Sequence, residues 1–238
     1  WDGNFENLLA VLLGHVRQVV DRYRGRVDLW QVASRPNIAS GLPLAEQQRL
    51  DLLLRTIETV RSLDQRTAQI VMVDQPWAEY MAHDQRGLPP FLLADALLRA
   101  NVGVTGLGLE INHGYYPGGT MPRSLLDFSY QLDRWSLLGV PLFVALTAPG
   151  IVRGGAADPP QQATRPAGRP EVMGSPKDVS VQRQRQWTTD YIPLLMAKSN
   201  IQVLVWNQLC DDDPGGLPHA GLFDATGEAK PVVDALRT

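Results

Sequence analysis

Residues 25–37 read GRVDLWQVASRPN. Val27, Leu29, Trp30, Val32 and Ala33 form an apolar run that a basic turn introduces and Ser34, Arg35 and Pro36 cut off. β-Branched and aromatic residues followed by a proline describe a buried parallel strand and its end, because proline cannot donate to the next rung of the ladder. In barrels and doubly wound sheets the chemistry sits just beyond such carboxyl ends. Ser34, Arg35 and Asn37 are therefore the first place to look for function, against the plainer reading of an ordinary strand exit with a solvated arginine.

Outward from this strand, helix and strand alternate. On its N-terminal side Phe5, Leu8, Leu9, Leu12, Val16, Val19, Val20 and Tyr23 fall on one helical face, and Gly25 stops that helix. On the other side the pattern predicts a helix over 44–63, the strand QIVMVD over 69–74, and an exit Gln75-Pro76-Trp77. A short helix over 91–101 precedes the strand VTGLGLEIN, 104–112, with Glu110 near its end. The glycines in that strand suit a crowded wall where a neighbouring backbone comes close. After the loop HGYYPGGTMP come a helix over 123–138 and the strand PLFVALT, 141–147. A long loop rich in Gly, Pro, Ala and Gln covers 151–180, then a helix over 181–198 is bent or interrupted at Pro193. The strand IQVLVWN, 201–207, an acidic turn at Asp211-Asp212-Asp213 and a last helix over 228–236 complete the chain.

Five alternations without a hairpin signal predict an α/β protein with a parallel sheet and right-handed crossovers. A doubly wound sheet and a (β/α)8 TIM barrel both satisfy that pattern. No glycine-rich phosphate loop follows any strand, whereas polar and aromatic residues stand at nearly every strand exit, which favours the barrel. Five strands do not close eight, so the reading is one domain over 1–238 that covers roughly the last five βα units, with three strands before Trp1.

The composition limits the function classes. Of 238 residues 44% are hydrophobic and 20% charged, with a net charge of -3 and no basic stripe, which argues against nucleic acid as a partner. No apolar run is long enough to span a membrane. A single cysteine, Cys210, excludes an internal disulfide. The opening WDGNFENLL has neither an initiator methionine nor a signal peptide and reads as an excerpt from a longer chain.

Several stretches carry a family resemblance. HVRQVVDRYRGRVDLWQVASR resembles the segment of family 10 glycoside hydrolases, the xylanase-like group, in which an R-Y-[KR]-G-[KR]-V turn leads to a strand W-D-V-V-N-E. GLGLEINH is similar to that family's G-I-G-L-Q-S-H strand, and LGVPLFVALT to its L-G-[LI]-P-[IV]-x-[IV]-T-E-[LV]-D strand. VLVWNQLCDDD resembles the family's W-G-[LV]-x-D exit, and GLFDATGEAKPVVDAL its closing L-[LF]-D-x-x-x-x-x-K-P-A-[YW] segment. The matches follow family order over almost the whole chain. The resemblance implies a barrel that acts on oligo- or polysaccharide without a cofactor, and a secreted or periplasmic home. It also implies a retaining mechanism with an acid/base glutamate and a nucleophilic glutamate about 5 Å apart.

Laid onto this chain, the acid/base glutamate falls at Arg35 with Ser34 before it, and the nucleophile at Leu146 with Ala145 before it. A guanidinium with a pKa above ~12 gives up no proton near neutrality, and leucine has no nucleophile. The family's ordinary chemistry is thus expected to be absent, leaving a carbohydrate-binding pseudo-glycosidase or a hydrolase with a relocated pair. Glu110, where the family has glutamine, and Asp74 are the candidates for such a pair. They can equally bond sugar hydroxyls, or Glu110 can pair with Arg35 in a structural bridge. Trp206, Trp77, Asn112, His113 and Asn207 suit a sugar site, because indole packs on pyranose C–H faces and planar polar groups meet hydroxyls. Trp206 matches the family's tryptophan that lies beneath the sugar. No metal is expected: His113 has no second histidine at ligand spacing, and Asp211, Asp212 and Asp213 read as a solvated acidic turn.

Overall fold

The elements follow one another as the apolar periodicity requires. The computed structural model describes residues 3–38, 43–74, 76–77, 87–116, 118–151, 171–173, 180–213 and 216–237. In chain order these are α1 (Phe5–Tyr23), β1 (Leu29–Ser34), α2 (Glu46–Leu63), β2 (Ala68–Asp74), α3 (Pro90–Arg99), β3 (Gly106–Asn112) and β4 (Tyr115–Tyr116). They continue as α4 (Leu125–Ser136), β5 (Leu142–Thr147), β6 (Glu171–Val172), α5 (Val181–Met196), β7 (Ile201–Trp206) and α6 (Val232–Arg237). Five strands form one parallel sheet in the order β1-β2-β3-β5-β7, with helices in alternation, so the chain is a partial (β/α)8 barrel. The chain divides into two compact units, one of residues 1–110 and 138–143, the other of 111–137 and 144–238.

In the first unit, α1 starts where the Asn4 side chain accepts from the N–H groups of Glu6 and Asn7, satisfying two donors that have no helical partner. It ends before Gly25, whose φ of 74° lies in the region open to glycine. The core joins Leu53 and Ile57 of α2, Val71 of β2 and Leu93 and Leu97 of α3, with Val32 and Ala33 of β1 packed against them. The glycines of β3 have a packing reason. A Cβ on Gly108 would come within 2.5 Å of Met72 Sδ, and one on Gly106 within 3.0 Å of the Pro141 carbonyl oxygen. The β1–β2 register slips between Gln31 and Ala33, a bulge that re-aims the strand just before its exit.

In the second unit, Ser124 caps α4 by accepting from the Asp127 N–H, and Ser180 caps α5 by accepting from the Arg183 N–H. Gln184, Trp187, Thr188, Tyr191 and Leu195 are the buried face of α5. Tyr191 meets Phe128 edge-on at 5.0 Å, and Lys198 closes the same side with a 2.6 Å ion pair to Asp133.

Four features depart from the sequence expectation. α5 runs unbroken through Pro193 and ends three residues later, so the proline does not interrupt the helix within its span. The last helix begins at Val232 rather than 228, because the Asp224 carboxylate accepts from the Thr226 and Glu228 N–H groups and competes with helix formation there. An antiparallel pair, Tyr115–Tyr116 with Glu171–Val172, exists where no hairpin signal is present, since its partners lie far apart in sequence. Asp211 is not a solvated residue: it makes a buried 2.6 Å ion pair with Lys230 and accepts from the Gly221 N–H, while Asp212 and Asp213 are exposed. Most of the 151–180 loop, 152–170 and 174–179, lies outside the described residues, as does Gln75.

Asn37, fully buried, acts as the buckle of the first strand exit. Its side-chain amide donates to the Asp74 carbonyl at 2.8 Å and its side-chain oxygen accepts from the Asp74 N–H at 3.1 Å. Asn37→Ala removes two buried side-chain-to-backbone hydrogen bonds and is expected to cost about 2–4 kcal/mol of stability. A lowered urea midpoint with an unchanged m-value checks this.

Candidate functional site

Arg35 stands at the end of β1 with φ 57°, a left-handed backbone that an arginine adopts only under constraint. The constraint is visible: its N–H donates to the Met72 carbonyl at 2.8 Å, and its own carbonyl accepts from the Ile38 N–H at 3.0 Å. The bulge and this turn together aim the guanidinium at the carboxyl ends of β2 and β3. There Asp74 and Glu110 are register partners on adjacent strands, both buried. Arg35 Nε donates to Glu110 Oε2 at 2.9 Å, Nη2 pairs with Glu110 Oε1, and Nε lies 3.5 Å from Asp74 Oδ2.

This fork is the bidentate arrangement in which guanidinium and carboxylate match plane to plane. The hydrogen bond to Glu110, with the nearby charges of Asp74 and Glu110, raises the Arg35 pKa despite the opposing cost of burial. Of the three readings open for Glu110, its geometry in this structure is that of the bridge with Arg35. Both oxygens of Glu110 are committed to one cation, and Asp74 lies within reach of the same group.

The second unit collects other predicted residues. Asn112 is buried and accepts from the Thr147 hydroxyl at 2.6 Å. Leu146 and Thr147 are successive strand residues and so face opposite ways. Thr147 meets Asn112, whereas Leu146 lines an apolar cavity of about 520 Å³ with Ile192, Met196, Ile201, Val203 and Leu236. Trp206 lines that same cavity, and its indole N–H is engaged with the Ala220 carbonyl at 2.9 Å. Asn207 is exposed and its backbone N–H donates to the Leu146 carbonyl at 2.9 Å. Trp77, in the first unit, is wholly buried.

His113, just past the end of β3, stacks on Trp187 at 4.7 Å. Trp187 in turn stacks on Tyr191 at 4.9 Å, and the His113 and Tyr191 rings are 6.1 Å apart. These rings, Gln184 and the charged rim residues Arg183 and Asp190 line a cavity of about 560 Å³. Burial lowers the His113 pKa to about 4, so the imidazole is neutral at ordinary pH. Sequence reasoning found His113 but missed Trp187, Tyr191 and Gln184, whose spacing of three and four along one helix face reads as core. Among the described residues no cluster of three His, Cys, Asp or Glu side chains is placed to hold a metal ion. None of the described helices is long and apolar enough to cross a membrane.

A parallel sheet with alternating helices and polar residues gathered at the strand exits defines a barrel-type α/β protein. No family model matches the chain, and no curated protein matches it. Solved structures do. Xylanase 10B from Thermotoga maritima superposes with a TM-score of 0.68 at 17% identity, over 98% of this chain and 66% of that one. Xylanase 10B from Thermotoga petrophila, solved in complex with xylobiose, gives 0.64 at 17% identity over 98% and 65%. A GH10 endoxylanase from a sugarcane soil metagenome gives 0.63 at 17% over 98% and 70%. The chain has the fold of these glycoside hydrolase family 10 xylanases, and it spans about two thirds of the length of the first two.

Removing the cation tests the bridge. Arg35→Ala leaves two buried carboxylates without their partner; because the Arg35 side chain is half exposed, the expected cost is about 1–3 kcal/mol, and adding Glu110→Gln recovers part of it. Urea midpoints of the single and double variants measure this. For His113 the folded pKa lies below the unfolded 6.5, so the unfolded chain binds more protons between the two values. Stability from the neutral ring is full above pH 6.5 and is lost as the pH falls toward 4, by roughly 2 kcal/mol allowing for partial exposure. His113→Phe should flatten that slope in unfolding midpoints taken between pH 7 and 4.5.

Proposed function

We propose that this chain is a carbohydrate-binding pseudo-glycosidase: a family 10-like barrel portion that retains a sugar-binding role and has lost hydrolysis. The observation that carries the reading is the Arg35 fork on Glu110, with Asp74 beside it. A glycosidase needs one carboxyl that is protonated and one that is free to attack or to activate water. Here the two carboxylates nearest in register share one guanidinium, and a cation at that place opposes the positive charge that develops on the sugar ring. The positions that resemblance assigns to the two glutamates hold arginine and leucine. What supports a carbohydrate ligand is the kinship in fold to xylanases, one of them solved with xylobiose, together with aromatic side chains lining two cavities of the second unit.

The rival reading, a hydrolase using Glu110 with Asp74, draws on their adjacency in register. Purified protein incubated with xylan and an aryl xylobioside separates the two. No release of reducing sugar or phenol is expected, with binding of xylo-oligosaccharides retained. Turnover that Glu110→Gln abolishes would overturn the proposal in favour of the hydrolase.

A further inference from the structure

We draw no further inference here: the strongest candidate, the apolar groove along β7 in the second unit where Val203, Val205, Met196 and Leu236 stand exposed, is an unpartnered face, and nothing in the structure shows what covers it.

Discussion

A single guanidinium answering buried carboxylates organises the first half of this protein. β1, β2 and β3 run parallel, so their ends converge, and each brings one charged side chain: Arg35, Asp74 and Glu110. Without the cation, two buried carboxylates in neighbouring registers would repel each other in a medium that solvates them poorly. With it, the strand ends are tied, and the bulge in β1, the left-handed backbone at Arg35 and the Asn37 bracket on Asp74 all serve to place that one side chain. Local strain is here exchanged for electrostatic closure.

The same arrangement sets the chemistry. In a glycosidase the strand exits present carboxyls of unequal acidity, and the difference between them is the catalytic device. Here the two carboxylates of adjacent strand exits meet one guanidinium. The second unit shows a different economy. Asn112 is bound to Thr147, Trp206 to a backbone carbonyl, and Asp211 to Lys230, whose own pKa burial lowers against the pull of Asp211. The Trp187 indole N–H and the Gln184 side-chain oxygen are among the buried polar atoms that lack a hydrogen-bond partner among the described residues.

The fold is legible in the sequence to a large degree, because apolar periodicity and glycine placement are local signals. The strand around Trp30, the helix-stopping Gly25 and the crowding implied by Gly106 and Gly108 are all written in the order of residues along the chain. The site is legible only in part. Arg35, Glu110 and Asp74 stand out by their position at strand ends. Trp187, Tyr191 and Gln184 do not, since an aromatic helix face looks the same whether it packs on a core or borders a cavity. Asp211 reads as solvent-exposed because nothing in an acidic turn announces a lysine nineteen residues later, Lys230, as its buried partner.

The sequence by itself determined the order and kind of the elements, the parallel sheet and the absence of glutamates where family resemblance expects them. It did so through short-range patterns: side-chain period, turn residues and chain-order motifs. Tertiary structure alone decided which charges meet. Three readings of Glu110 are equally compatible with its neighbours along the chain, and only the register that sets Asp74 beside Glu110, with Arg35 turned toward both, selects the ion pair. Interactions between strand ends depend on through-space distances of a few ångströms between residues tens of positions apart, and that information enters only when the sheet is assembled.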